Sequence, residues 1–92
     1  MFSEIHCVIK GRVQGVGYRD FIERYTREQN LFGWIKNNND GSVEVVIQGT
    51  PDELKACIPI LNQGSILAKV ESLAIDWQTP EKQCTEFKIL SS

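Results

Sequence analysis

Alternating apolar and polar residues mark out most of the chain as strands. From Ile5 to Val13 the odd positions are apolar or glycine, and the even positions are mostly polar. Residues 42–48 and 68–77 alternate in the same way. A period of two predicts strands that are each buried on one face. In the stretch 68–77 it assigns Val70 to the face opposite Leu73.

Two shorter runs, Trp34 to Asn37 and Glu86 to Leu90, predict two further strands. The dipeptide Asp40-Gly41 separates the first of them from the strand at 42–48, which is a strong signal for a hairpin. The run at 86–90 follows a polar loop that contains Pro80, so we expect it at an edge of the sheet.

The first helical stretch begins at Tyr18 or Arg19 and extends to about Asn30. Asp20 and Glu23 fall in its first turn, where the helix dipole favours acidic side chains. We expect Gly33 to terminate this helix. The residues on or beside its buried face should be Phe21, Ile22, Tyr25, Thr26 and Gln29.

A second helix should begin after Thr50. Thr50 and Glu53 have the spacing of a capping box, and Pro51 suits the first helical position. The apolar residues that follow at helical spacing are Leu54, Cys57, Ile58 and Leu61. Pro59 lies within this pattern and predicts a kink or an early end, before the closing segment 62–65.

The order of elements is therefore β-α-β-β-α-β with one additional strand. This order predicts an α+β fold, the ferredoxin-like split β-α-β sandwich, with two helices on one face of an antiparallel sheet. Right-handed crossovers make the first two strands parallel and place the third between them. The 92 residues are predicted to form a single domain, 1–92.

Composition narrows the possible partners and compartments. The net charge of −2 and the pI of about 5.3 argue against a nucleic-acid partner. The apolar runs are too short for a membrane span, and the N-terminus does not read as a signal peptide, so we expect a cytoplasmic protein. Cys7, Cys57 and Cys84 match no zinc pattern and should be reduced thiols at apolar positions, although a disulfide between two of them stays open.

The candidate chemistry lies in the loop between the first strand and the first helix. Gly15 and Gly17 allow a tight turn that opens into the helix, where backbone N–H groups lack partners. These donors and the helix dipole suit an anion, and Arg19 adds a guanidinium that fits phosphate. A glycine pair before a helix is also compatible with a simple tight turn. The loop follows neither the Walker nor the dinucleotide pattern.

Topology brings Asn37 towards this loop. The first two strands end at the same edge of the sheet with one strand between them, so Asn37 and the glycine turn should lie about 10 Å apart. Asn37 is alternatively part of the hairpin turn, because asparagine favours turns. His6, the only histidine, falls on the polar face of its strand and is interpreted as a solvated residue rather than a catalytic base.

Two segments at this spacing closely resemble the acylphosphatase family. They are the segment 11–19 (GRVQGVGYR) and the segment 33–44 with its GWIKN and DGSVE motifs. The resemblance covers nearly the whole chain. The sequence departs from the family pattern at Asn38, where members often carry threonine, at Gln29, where leucine is common, and at Pro59.

This resemblance implies an enzyme that hydrolyses acyl phosphates to a carboxylate and phosphate, without a metal, another cofactor or a phosphoenzyme. It implies that Arg19 binds the phosphate and that Asn37 orients the attacking water. It also implies that the phosphate is held by the backbone amides of Gln14, Gly15, Val16, Gly17 and Tyr18. We expect a monomer whose partner is a small acyl phosphate, with no nucleic acid and no membrane.

Three other functions stay open at this point. The same sandwich can bind phosphate or a metabolite without turning it over. A second alternative is a carbamoyl-phosphate-handling domain, of the kind fused to larger hydrogenase-maturation proteins, although the length of the chain argues against it. A nucleic-acid-binding sandwich would need a basic face with exposed aromatic residues, which the acidic pI disfavours.

Overall fold

Seven elements make up the computed structural model, which describes residues 2–91. The strands are β1 (Ser3–Arg12), β2 (Phe32–Asn37), β3 (Val43–Gly49), β4 (Lys69–Gln78) and β5 (Phe87–Ile89). The helices are α1 (Tyr18–Glu28) and α2 (Pro51–Gln63). The predicted element order and the ferredoxin-like α+β fold are therefore confirmed.

The five strands form one sheet in the order β4-β1-β3-β2-β5. β1 and β2 both run antiparallel to β3, so they are parallel to each other with β3 between them, as predicted. β5 lies at an edge, as predicted, but it pairs in parallel with β2, so the sheet is mixed rather than wholly antiparallel. The reason is that β4 ends where β1 and β2 begin, and the loop 79–86 crosses that end of the sheet before β5 starts.

The core lies between the sheet and the two helices. Ile5, Cys7 and Ile9 of β1 are fully buried, and so is Leu54 of α2, while Cys57 is 1% exposed. Burial raises the pKa of the Cys7 thiol to about 12 and that of Cys57 to about 11. These two thiols occupy apolar positions as predicted, whereas Cys84 is half-buried in the loop 79–86, and all three are free.

The end of α1 differs from the prediction. The helix ends at Glu28, and Asn30 adopts the left-handed conformation with φ 56°. The N–H of Leu31 then donates to the carbonyl of Thr26 at 2.9 Å, which closes a Schellman-type cap. Gln29, expected at the buried face, is the exposed C-cap. Gly33, expected as the terminator, lies inside β2.

α2 begins as predicted, but it does not end early at Pro59. The Glu53 N–H donates to Thr50 Oγ1 at 3.3 Å, and the Thr50 N–H donates to Glu53 Oε1 at 2.9 Å, which completes the capping box. Pro59 does not end the helix, which continues to Gln63. Pro59 and Lys55 are both exposed, so solvent can hydrate the carbonyl that proline leaves without a donor.

β4 contains an irregularity that the alternation did not predict. Lys10 pairs with Ser72 and Gly11 pairs with Val70, so Glu71 is an extra residue in β4. Such a bulge reverses the alternation beyond it. Val70 consequently packs against the core on the same face as Leu73, and its assignment to the opposite face was wrong.

Candidate active site

The loop 13–17 leaves the C-terminal end of β1 and opens directly into α1. Gly15 and Gly17 have φ values of 73° and 79°, a region that favours glycine, as the sequence predicted. Gly17 is the N-cap of α1, and its carbonyl accepts the N–H of Phe21 at 3.0 Å. The N–H groups of the first turn therefore have no intrahelical acceptor and are suited to an anion.

A cavity of about 220 Å³ lies at the mouth of this helix. We call it the phosphate cavity; it is lined by Val13, Gly15, Gly17, Tyr18, Arg19, Asp20 and Asn37. The structure thus brings Arg19 and Asn37 to one concavity, at the edge of the sheet where the topology predicted that they would meet. Asp20 also borders the cavity but is exposed, so solvent screens its negative charge.

Asn37 carries the most unusual polar atom of the site. Its Oδ1 is buried and accepts no hydrogen bond from any residue between positions 2 and 91. An unpaired buried acceptor costs about 1–3 kcal/mol, and native proteins contain few of them. This oxygen therefore suits a guest molecule with a hydrogen to donate, such as water.

The side chain of Gln14 points away from the phosphate cavity and into the β2–β3 hairpin. Its Nε2 donates to the carbonyl of Asn38 at 2.8 Å and to that of Ser42 at 2.9 Å. Both hydrogens of the amide thus join the loop 13–17 to the hairpin, next to Asn37. The sequence identified Gln14 only through its backbone amide and gave no sign of this cross-link.

The hairpin itself is closed by a compact set of hydrogen bonds. Asp40 Oδ1 accepts from the N–H of Ser42 at 2.9 Å and from its Oγ at 2.6 Å, and these bonds lower the pKa of Asp40. Asn38 Nδ2 donates to Ser42 Oγ at 3.0 Å. Asn38, the departure from the family pattern, therefore contributes its side chain to the hairpin that carries Asn37.

Val16 and Tyr18 contact other parts of the fold. The Tyr18 side chain is buried, and its hydroxyl donates to the carbonyl of Leu61 at 2.7 Å. The Val16 carbonyl accepts from Ser65 Oγ at 2.8 Å. The loop 13–17 is thereby joined to the segment after α2 as well as to the hairpin.

His6 lies outside the phosphate cavity, on the open face of the sheet. Its Nε2 is 2.6 Å from Glu44 Oε2, and its ring packs against Trp34 with the centroids 6.4 Å apart. The hydrogen bond from His6 lowers the pKa of Glu44. His6 lies on the face of its strand that points away from the core, as predicted, but its side chain is only 29% exposed and is bonded to Glu44, so its interpretation as a solvated residue was wrong.

Neither a metal cluster nor a membrane helix occurs in the described part of the chain. Within residues 2–91 no three His, Cys, Asp or Glu side chains come together in a way that could hold a metal ion. Over the same residues, neither helix has the length and the apolar character that a membrane crossing requires.

Comparison with known proteins gives consistent matches. The family model described as Acylphosphatase matches residues 5–89. An acylphosphatase of Geobacillus kaustophilus is 35% identical over 88 residues, which cover 96% of this chain and 94% of that protein. The crystal structure of an acylphosphatase from Bacillus subtilis superposes with a TM-score of 0.92 at 30% identity, covering 96% of this chain and 98% of that one. The chain is also similar to a part of HypF from T. kodakarensis, with a TM-score of 0.86 and 31% identity over 98% of this chain and 12% of that protein.

Proposed function

Because this chain belongs to the acylphosphatase family, we propose that it hydrolyses the carboxyl–phosphate bond of acyl phosphates by a metal-independent route. In this proposal Arg19 binds the phosphate and Asn37 orients the attacking water. The observation that carries the proposal is the phosphate cavity, which is lined by Arg19, by the first turn of α1 and by Asn37 with its unpaired Oδ1.

The phosphate end of the substrate carries two negative charges that need stabilisation. We assign the phosphate to the N–H groups of residues 14–18 and to the positive end of the α1 dipole, whose N-cap is Gly17. Arg19 adds a planar fork of N–H groups that matches two phosphoryl oxygens. Donors that are already in position stabilise charge in the transition state without reorganisation.

The water is assigned to the hairpin side of the phosphate cavity. Asn37 Oδ1 accepts a hydrogen bond from the water, whose oxygen then forms a bond to phosphorus. The bond from phosphorus to the acyl oxygen breaks, and its electron pair leaves on the carboxylate. A carboxylate is a stable leaving group, so the reaction mainly needs positioning and charge stabilisation.

The proton of the attacking water is assigned to the substrate's own phosphate. His6 is bonded to Glu44 on the open face of the sheet, outside the phosphate cavity, so it is not placed to take this proton. Asp20 borders the cavity, and Asp20→Asn should keep its turnover if the phosphate takes the proton. A pH–rate profile of the enzyme–substrate complex that followed the ionisation of a protein base would overturn this assignment.

The first experiment is the hydrolysis of benzoyl phosphate in the presence of a chelator, by the wild type and by Arg19→Ala. We expect the wild type to retain its turnover and Arg19→Ala to lose more than about 10²- to 10³-fold in kcat/KM, with weaker inhibition by inorganic phosphate. Arg19→Lys should recover little, because an ammonium group cannot bind two oxygens in one plane.

Arg27→Ala is the matched control for Arg19. Arg27 is on the same helix, is exposed and pairs only with Glu23 at 3.1 Å in the described structure. This variant should keep its activity. A folded Arg19→Ala with near-normal turnover would refute the role of Arg19, and a wild type inactivated by the chelator would refute metal independence.

Asn37→Ala separates the two proposed roles. It should lower kcat and leave the inhibition constant of inorganic phosphate nearly unchanged, because the phosphate contacts do not involve this side chain. Asn39→Ala, an exposed position in the same turn, is the control. Weaker phosphate binding with normal kcat would contradict the proposed orientation of water by Asn37.

We also propose that the chain acts as one domain and as a monomer. The phosphate cavity is built from the loop 13–17, α1 and β2 of a single chain, so it needs no second subunit. The three free thiols suit a reducing compartment such as the cytoplasm. Sedimentation equilibrium tests whether the protein is a monomer. A folded wild type that binds phosphate without hydrolysing benzoyl phosphate would indicate a binding module rather than an enzyme.

A further inference from the structure

A second and larger concavity adjoins the phosphate cavity. This flank groove, of about 940 Å³, is lined by Val16, Gly17, Asp20, Phe21, Arg24 and the segment 63–68. Gly17 and Asp20 border both spaces, so the two lie side by side at the mouth of α1. Nothing in the proposed chemistry of phosphate and water uses this groove.

The rim of the flank groove carries exposed apolar side chains. Ile66 is fully exposed and Leu67 is 68% exposed. Neither contributes to the core, and adjacent exposed apolar side chains often mark a binding surface. The segment that carries them is anchored by the bond from Ser65 Oγ to the Val16 carbonyl and by the bond from the Ala68 N–H to the Ser65 carbonyl at 3.0 Å.

The strand order places the flank groove opposite the proposed water. β1 lies between β4 on one side and β3 with β2 on the other. Asn37 ends β2, whereas the segment 63–68 immediately precedes β4. A phosphate held at the end of β1 therefore has Asn37 on one flank and Ile66 with Leu67 on the other.

In phosphoryl transfer the attacking and leaving oxygens are roughly in line through phosphorus. Water that approaches from Asn37 thus directs the acyl oxygen towards the flank groove. We propose that the flank groove binds the acyl group of the substrate and that it favours apolar or aromatic acyl groups over small ones. This inference rests on the proposed function.

The charges of the groove agree with an apolar occupant. Asp20 and Arg24 are one turn apart on α1 and have opposite charges, so together they favour neither a positive nor a negative charge on the acyl group. Val16, Phe21, Ile66 and Leu67 supply the remaining contact surface. An acyl group that leaves as a carboxylate would keep its apolar part against these side chains.

The test compares benzoyl phosphate with acetyl phosphate, which share the phosphate and differ in the acyl group. The enzymes are the wild type, the double variant Ile66→Ser/Leu67→Ser and the control Trp77→Ser. Both substituted groove residues are exposed, so the variant should fold normally, which circular dichroism checks. Trp77 is also exposed and apolar, at 47%, but it lies towards the far end of β4.

We expect kcat/KM for benzoyl phosphate to fall about tenfold in the double variant, the effect of one or two lost apolar contacts. The value for acetyl phosphate should change less than about twofold, because its methyl group makes little contact with the rim. Trp77→Ser should leave both values unchanged. Benzoate should also inhibit the double variant less than it inhibits the wild type.

Three results would overturn the inference, and they differ from one another. An unchanged ratio of the two kcat/KM values, in an active double variant, would refute the groove alone and leave the proposed function intact. If the ratio is unchanged, the wild type is a dimer and the double variant is a monomer, the apolar rim would instead be the contact surface for a second copy of the chain. A folded wild type that hydrolyses neither substrate would refute the proposed function, and the groove assignment with it.

Discussion

The cross-link from Gln14 to the hairpin makes a sharp prediction about catalysis. Gln14→Met keeps the shape of the side chain and removes its amide. It abolishes the hydrogen bonds to the carbonyls of Asn38 and Ser42, which join the loop 13–17 to the hairpin that carries Asn37. We expect the phosphate site to remain and the position of Asn37 relative to it to loosen.

The expected cost follows from these two bonds. Each contributes about 0.5–1.5 kcal/mol to folding. Neither carbonyl is left without a donor, because Asn38 O also accepts the Gly41 N–H and Ser42 O also accepts the Asn38 N–H. We therefore expect a loss of about 1–3 kcal/mol, with Tm falling by roughly 4–8 °C for each kcal/mol in a domain of this size. A displacement of about 1 Å at the water should lower kcat by about 10- to 100-fold.

The assay measures kcat for benzoyl phosphate, the inhibition constant of inorganic phosphate, and Tm. The matched control is Gln48→Met. Gln48 is 1% exposed and also makes its bonds across the fold, to Glu4, Lys82 and Cys84, at the other end of the sheet. This control should lose at least as much stability as Gln14→Met and keep kcat within about twofold of the wild type.

A comparison of the two variants decides whether Gln14 positions the site or only stabilises the fold. If kcat falls equally in both, loss of stability explains the effect and the positioning role is wrong. If Gln14→Met raises the inhibition constant of phosphate and leaves kcat unchanged, Gln14 supports the loop 13–17 itself and not the placement of Asn37.

Two further predictions concern stability. Gly33 has φ 141°, and a Cβ there would lie 1.9 Å from the Val46 carbonyl oxygen; Gly33→Ala should therefore destabilise by about 3 kcal/mol or more in urea unfolding. Gly41→Ala, where a Cβ meets open space at φ 93°, should cost only about 1–2 kcal/mol, and equal losses would contradict the steric argument. The bond to His6 is the largest cause that lowers the pKa of Glu44, and nearby positive charge lowers it further. Ionised Glu44 should therefore stabilise the fold above its unfolded pKa of about 4.3, and this stabilisation should be lost as the pH falls through the folded pKa. The difference in unfolding free energy between the wild type and Glu44→Gln is expected at about 0.2–1 kcal/mol near pH 6 and should shrink progressively as the pH falls below the unfolded pKa; a difference that does not change with pH would contradict an ionic origin.

Local patterns predicted the elements and the meeting point of the site. The alternation in β1 and the Thr50–Glu53 capping box depend on neighbouring residues, so the sequence reveals them directly. Predicting that Arg19 and Asn37 lie close together also requires the rule that crossover connections between parallel strands are right-handed, which holds almost without exception. The sequence patterns therefore predict the cavity at the end of β1.

The features that escaped prediction depend on contacts between distant residues. Gln14 bonds partners 24 and 28 positions away, and the Tyr18 hydroxyl reaches Leu61. The bulge that turns Val70 to the core arises from the register of β4 against β1, which periodicity alone does not give. Glycine is compatible both with a helix end and with a strand that packs closely against its neighbour, so Gly33 was wrongly predicted to terminate α1. Only the close approach of β2 to Val46 distinguishes the two roles.

The short strand β5 has a consequence for aggregation. It covers the outer edge of β2, where the Gly33 N–H bonds to Glu86 O at 3.0 Å and the Leu90 N–H bonds to Ile35 O at 2.8 Å. An uncovered edge presents backbone donors and acceptors to strands of other molecules. The opposite edge, β4, has exposed charged residues and a bulge, both of which oppose such pairing. The two edges are thus protected by different means, and detachment of β5, which would also withdraw Phe87 from the core, would open the edge of β2 to intermolecular strand addition.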